Sequence, residues 1–419
     1  MIPTRLARLL VVTVLGPAAV HGLGSAAGPA VVRGLGAAGP AAARGLGGAA
    51  GPAAVRAWDA PAAPLSFDDD DDDDAAGSAA APVVYFDASA TGVVVQTVGE
   101  AVSLAAGTDA AASAALVDIG AVWTQSGGKW RRFNKAADSA PPEDCNVYRV
   151  YTRPKRFTEA CAVDWAARQL YLDGAYCIVD KPAMLPSQPD NGNVRECVAE
   201  CAGRGLGLLK PDGFAALRAA HRLDATVGGC IVLARNQKAH KQFGQWLAGF
   251  KVSKTYAALS KTKPCVSKGK VYHDMLLPTD ADEKQRIADV FGPGPRIVSA
   301  VSQSKQKVKL HWKRCELEIL KCEDIVVNGE QFYETTLLLV TGRPHQVRAQ
   351  MAALGAPLAH DTLYASGGSL FDADEAAFAA HRQSLNVKAP TMPIGLAARR
   401  VAFAGREVSA KFPPWWRAG

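Results

Sequence analysis

Two short stretches in the second half of the chain, "YCIVDKP" (176–182) and "GCIVLA" (229–234), constrain the fold more than anything else in its 419 residues. Each contains an apolar run, residues 176–179 stopped soon after by Pro182 and residues 230–234 opened by Gly228-Gly229. Runs of this kind read as strands buried in a sheet. "KTYAALS" (254–260) reads as a third strand. "NQKAHKQFGQWLAGF" (236–250) carries Ala239, Phe243, Leu247 and Phe250 at near-helical spacing and predicts an amphipathic helix. "LHWKRCELEILKC" and "EQFYETTLLLVT" flank Asn328-Gly329, a strong hairpin signal. "PHQVRAQMAALG" (344–355) predicts a helix with Pro344 in its first turn, Val347, Met351 and Leu354 as its apolar stripe, and Gly355 as its cap. The fold class that follows is α+β, a mixed, mostly antiparallel sheet with flanking helices, over about residues 165–416.

The region before this body is organised differently. "MIPTRLARLLVVTVLGPAAV" places two arginines ahead of a short apolar segment. A degenerate Ala/Gly/Pro repeat follows, with no acid before Asp59. Such a tract cannot bury a core, and residues 1–67 read as a targeting leader, presumed removed. A two-part plastid address is the reading adopted; a mitochondrial or secretory leader, or a disordered tail with no address, is the alternative. Asp68–Asp74 mark a solvated acidic linker, 68–82. Residues 83–157 read as a small domain with an Ala-rich helix at 99–119 and strands around Gly127-Gly128. There Trp130, Arg131, Arg132 and Phe133, then Tyr148, Arg149, Tyr151, Arg153, Lys155 and Arg156, interleave rings and cations. That mixture either pairs phosphates while stacking bases or simply makes a two-sided hairpin.

Charge sharpens the contrast. Residues 1–119 hold five Arg, no Lys, eleven Asp and one Glu; subtracted from 47 basic and 40 acidic residues, this leaves 42 and 28 in 120–419. The remainder therefore carries about +14, against +7 for the whole chain, which suits a polyanionic partner. No apolar run reaches the ~18 residues of a membrane span, so no membrane association is expected of the mature chain. The nine cysteines contain no CxxC pair, and Cys197 and Cys201 have no nearby histidine pair, so no metal site is expected.

The chemistry gathers at two polar junctions. In "AAHRLDATVGGCIVLA" Asp224 stands just ahead of a buried strand. Partial burial pushes a carboxylate towards neutrality, and a nearby arginine reverses that shift. "LLLVTGRPHQVRAQMAALG" supplies one: Arg348 lies one turn beyond Pro344 and shares a face with His345 at i, i+3 spacing. An Asp224–Arg348 pair at a cleft would keep the carboxylate nucleophilic. A purely structural salt bridge is the other reading of the same residues.

These residues carry a family resemblance. "HRLDATVGGCIVLARN" resembles the HRLD-x-x-T-S-G signature of RluA-type pseudouridine synthases, and "VSKTYAAL" resembles their K-x-Y strand. "LVTGRPHQVRAQMAALGAPLAHDTLY" is similar to their TGR-x-HQ-I/V-R helix and the G-D-x-x-Y segment after it. "YCIVDKPAMLPSQP" matches their opening strand, and "LAARRVAFAGREVSAKFPPWW" their closing one. The motifs follow in the family's order over about 165–416, and 83–157 looks like a shortened form of the small RNA-binding domain often placed ahead of that body.

The resemblance implies isomerisation of uridine in rRNA, tRNA or an organellar transcript, in a central RNA-binding cleft. No cofactor is needed, and a monomer acting on structured RNA is expected. By resemblance Asp224 is the nucleophile, Tyr256 lies against the base, and Arg348 holds Asp224 charged. Arg222 would fill the gap left by the flipped uridine, since a stacked base is unreachable. His221 and Arg343 would shape the loops through hydrogen bonds. His345 and Lys254 belong to the same RNA-facing set, and Lys181 either touches phosphate or covers the surface. The chain departs from the pattern at Met184 and His360, where glycine is usual, at Val227 for serine, at Pro344 for threonine and at Ala356 for histidine. These departures leave a second expectation open, an RNA-binding or RNA-folding factor that kept the scaffold and lost turnover. A hydrolase fits poorly, because glycosidases pair two carboxylates and the second junction itself offers none.

Overall fold

The computed structural model describes residues 83–417 apart from 158, 160, 161, 292, 293, 301–310, 366, 367, 372, 373 and 387. The leader and the acidic linker lie outside the described residues. Two compact units divide the rest, one ending at Lys155 and the other beginning at Arg156.

The first unit runs β1 (Val83–Asp87), α1 (Ala88–Thr91), α2 (Val98–Ala106), α3 (Ala110–Ile119), β2 (Val122–Ser126), β3 (Lys129–Arg132) and β4 (Val147–Tyr151). Its antiparallel sheet has the order β1-β4-β2-β3. The single helix expected over 99–119 is two. Gly107 takes a left-handed φ of 65° and closes α2, and the Asp109 carboxylate accepts from the Ala112 N–H to start α3. Both helices bury one face, including Val98, Val102, Leu116 and Val117, against Phe86, Val122, Tyr148 and Val150 of the sheet. Gly127 and Gly128, at φ 54° and 75°, make the two-residue turn between β2 and β3. Strand alternation divides the ring-and-cation string between two faces. Phe133 and Tyr148 point into the core, whereas Arg149 lies on the other face with its guanidinium 4.8 Å from the Trp123 centroid and 5.1 Å from that of Trp130. Arg156, where the second unit begins, forms a forked pair with Glu196 of the same unit.

The second unit opens with α4 (Trp165–Arg168), β5 (Gln169–Leu172), β6 (Tyr176–Lys181), α5 (Val198–Gly205), β7 (Arg218–Ala219), β8 (Gly228–Ala234) and α6 (Gln237–Ala248). It continues with β9 (Val252–Ser260), β10 (Gly269–Leu276), α7 (Ala281–Phe291), β11 (Val298–Ser299), β12 (Trp312–Val327) and β13 (Glu330–Leu339). α8 (Gln346–Ala353), β14 (Leu370–Phe371), α9 (Glu375–Ser384), β15 (Leu396–Phe403) and β16 (Arg406–Ser409) complete it. Among the described residues the strands form one sheet in the order β14-β11-β10-β12-β13-β9-β15-β8-β6-β5, with β16 on β15 and β7 on β8. All pairs are antiparallel except β15–β8 and β11–β14. This is the mixed, mostly antiparallel α+β architecture.

The sheet is covered on both sides around β6 and β8, and that is why those strands do not alternate in polarity. Cys177, Val179, Ile231 and Leu233 pack with α5 and α8 on one face. Ile178, Cys230, Val232 and Ala234 pack with Ala239 and Phe243 of α6 on the other. α6 starts where the Asn236 side chain accepts from the Ala239 N–H, and it ends at Ala248. Phe250, expected in its buried stripe, therefore falls outside the helix and is 68% exposed. The β12–β13 turn is Asn328-Gly329, both left-handed. α8 begins at Gln346, so Pro344 precedes the helix instead of occupying its first turn. The Gln346 Oε1 accepts from the Thr341 hydroxyl and the Arg343 N–H, which folds the loop back onto the first helical residue. Gly355, at φ 75°, ends the helix region as expected.

Among the described residues no single helix is long and apolar enough to cross a membrane; α2 and α3 pass such a test only together, and they are bent by 108°.

The parallel contact between β8 and β15 admits only glycine at one position. Gly229 lies opposite Ala398, has φ 115°, and a Cβ built there would stand 2.2 Å from the Ala398 carbonyl oxygen. Gly229→Ala should therefore destabilise the second unit by on the order of 3 kcal/mol, read as a fall in the urea midpoint. A variant that unfolds at the wild-type urea concentration would show that the two backbones part without cost.

Candidate active site

The loop from Ala220 to Val227 is held from both ends. On one side the Ser187 hydroxyl accepts from the Leu223 N–H at 3.0 Å and donates to the Leu223 carbonyl at 2.7 Å. On the other, the Lys181 ammonium donates to the carbonyls of Pro182, Ala225 and Val227 at 3.2, 3.0 and 2.6 Å. Lys181 is 1% exposed, so it neither touches phosphate nor covers the surface. A buried ammonium must be paired, and the backbone of this loop does so. Asp224 sits between the two anchors.

His221 is a loop anchor as well. Its Nε2 accepts from the Val232 N–H at 3.1 Å, its Nδ1 faces the Arg222 carbonyl, and the ring stacks on Phe243 at 5.7 Å. Burial, helped by the Lys254 charge, pushes its pKa down to about 3, so it is neutral.

α8 supplies the opposing charge. Arg348 is wholly buried. Its Nε and Nη2 donate to the two oxygens of Asp361 at 2.8 and 3.0 Å, a forked pair. Its Nη1 lies 3.3 Å from Asp224 Oδ2 and 3.1 Å from His345 Nε2. With Nε2 accepting, the other His345 nitrogen carries the proton and donates to the Tyr364 hydroxyl at 3.1 Å. The Tyr364 hydroxyl in turn accepts from the Arg296 N–H, and its ring lies 5.1 Å from the Arg348 guanidinium. His345 holds this position at a left-handed φ of 55°.

Asp224 and Arg348 are therefore together, from loops and helices 124 residues apart. The Asp224 side chain is 23% exposed while those of Arg348 and Asp361 are fully enclosed. The exposed edge of Asp224 opens on a cavity of about 660 Å³ that Arg222, Lys254, Tyr256 and Arg343 also line. Asp224 is the sole carboxylate among the described lining residues. Tyr256 and Lys254 stand two apart on β9 and so share a face. Burial and then the Asp224 charge push the Tyr256 phenol up, which keeps it protonated. Burial alone pulls the Lys254 ammonium down to about 8. Among the described residues no carboxylate pairs with it. Its Nζ lies where a side chain at Gly342 would collide, 2.9 Å from the position of such a Cβ. Arg343 is exposed and Arg222 half-buried at the rim.

Sequence reasoning missed Asp361 and Ser187. A buried arginine needs an acid, and that requirement is the signal that would have led to Asp361 in "AHDTLY". Asp361 supplies the second carboxylate absent from the second junction, but it is sealed and held by Arg348, so the two acids cannot act as a glycosidase pair. Two departures from the family pattern, Met184 and His360, both occupy left-handed φ values of 65° and 62°, the conformation that glycine adopts without strain. Among the described residues no group of three or more His, Cys, Asp or Glu could hold a metal ion.

The chain matches the family model for RNA pseudouridylate synthase over residues 175–353. It is 29% identical over 307 residues to the chloroplastic RNA pseudouridine synthase 6 of Oryza sativa, covering 64% of this chain and 59% of that protein. To the protein of the same name from Arabidopsis thaliana it is 31% identical over 233 residues, 52% of this chain and 44% of that one. To the ribosomal large subunit pseudouridine synthase D of Zymomonas mobilis it is 26% identical over 223 residues, 52% and 62% of the two chains. The chain thus spans less than two thirds of the length of each of these relatives.

Two outcomes follow from this geometry. Asp361→Asn strands a wholly buried guanidinium and should cost about 3 kcal/mol or more of stability, whereas Asp224→Asn, at a partly exposed single contact, should cost below about 1 kcal/mol. Equal losses in denaturant melts would mean that Asp361 is not the principal partner. Lys254 is the second case. Its folded pKa lies below its unfolded value, so between about pH 8 and pH 10 the unfolded chain binds more protons and stability rises with pH. Lys254→Met should raise the melting temperature at pH 7, with the gain shrinking as pH climbs through that window. A pH-independent difference between variant and wild type would contradict an unpaired, desolvated ammonium.

Proposed function

We infer that this protein isomerises uridine to pseudouridine in RNA, with Asp224 as the nucleophile. The observation that carries this reading is the partly open carboxylate of Asp224, held by an enclosed Arg348 on a cavity otherwise lined by cations and neutral groups. A nucleophilic carboxylate must stay ionised while partly shielded from water, and the guanidinium provides that. The buried Tyr256 phenol stays neutral beside it and can lie against a base or hand a proton to the ring. Arg222 at the rim would occupy the space that a flipped uridine leaves. Arg343 and Lys254 would meet phosphates, and so would basic side chains of the first unit. The RNA is an organellar rRNA, tRNA or transcript, and the compartment is the plastid; the chloroplastic names of the rice and Arabidopsis relatives support that address.

The isomerisation breaks the N-glycosidic bond and joins C5 of the same base to the same sugar carbon, which displaces the hydrogen at C5. Tritium placed at that position reports turnover. Asp224→Asn should abolish tritium release from uridine-labelled organellar RNA while RNA binding survives within about threefold, because the contacts to phosphate remain. Turnover by Asp224→Asn at the wild-type rate would remove the nucleophile from this account.

A further inference from the structure

The turn after α6 puts an aromatic ring where chain geometry does not favour one. α6 ends at Ala248, and the next residue, Gly249, is the residue best suited to the left-handed conformation that closes a helix. Gly249 instead has φ −87°, and the left-handed φ of 55° falls on Phe250. A bulky residue in that region is a true outlier, and such strain collects at ligand-binding sites. The ring gains no burial in return: Phe250 is 68% exposed. It lines the mouth of the Asp224 cavity with Leu247, Ala248 and Arg222.

The geometry points to Phe250 as a stacking residue for an unpaired RNA base next to the target uridine. The assignment deepens the RNA reading above and depends on it. Phe250 takes the neighbouring base and not the uridine itself because of depth. Asp224 and Tyr256, which would meet the reacting nucleotide, are 23% and 5% exposed at the inner end, whereas Phe250 stands at the solvent end. An exposed ring presents a π face to any base, and two further cations on the same cavity, Arg343 and Lys254, suit the phosphates on either side of it. Other macromolecules fit less well, since a cavity with a single carboxylate among its described lining residues favours a polyanion.

The test uses the full chain and a fluorescein-labelled single-stranded oligouridylate of about twelve nucleotides, within the range of known single-strand site sizes. Anisotropy should show the dissociation constant rising roughly 5- to 150-fold in Phe250→Ala and also in Phe250→Leu, which keeps an apolar side chain but loses the ring. Phe250→Trp should bind as the wild type does. Full affinity in the Ala or Leu variant, or a loss in Trp equal to that in Ala, overturns the stacking role, and so does a wild type that fails to bind the oligomer. Tritium release by the wild type is read separately. Its absence would count against the isomerase itself, whereas turnover with unchanged binding in Phe250→Ala would count against this residue alone.

Discussion

Everything at the cavity depends on one enclosed guanidinium. Arg348 has no solvent to satisfy it, so its five N–H groups must be met by protein, and Asp361, Asp224 and His345 take four of them. The forked pair with Asp361 fixes the plane of the group. That plane in turn fixes where the remaining Nη1 points, and Asp224 meets it there. Breaking such a pair leaves a buried charge, which is why α8, the segment holding Asp361 and the loop of Asp224 form one electrostatic unit.

The strands around this unit were legible because burial on both faces leaves a distinctive mark. "YCIVDKP" and "GCIVLA" lack alternation, and the helices α5, α6 and α8 account for that by covering the sheet on either side. The Asn328-Gly329 hairpin and the Gly355 helix end were equally readable, since left-handed backbone selects these residues. Less legible were events governed by single side chains. The Ala-rich stretch at 99–119 is periodic enough for one helix, but Asp109 offers a competing cap and Gly107 a stop, and the chain takes both. The start of α8 moved past Pro344 because the Gln346 side chain claims the Arg343 N–H, an interaction that no propensity anticipates.

At the site, residue types were easier to foresee than their partners. The pattern at the two junctions pointed to Asp224 and Arg348, and the fold brings them within 3.3 Å. What the pattern did not carry was the division of labour. Lys181 looked like a surface cation, yet its ammonium is taken up by three backbone carbonyls. Phe250 looked like core, because periodicity continues past the point where the helix stops. Asp361 falls in the G-D-x-x-Y segment of the resemblance, but that pattern does not show that its charge is neutralised inside the protein.

The fastening of the Asp224 loop has a mechanical consequence. Ser187 and Lys181 tie it to the segment that begins with β6, the strand beside the edge strand β5, so the carboxylate is anchored to the backbone of that segment. A molecule entering the cavity therefore meets a carboxylate whose backbone is fastened on both sides.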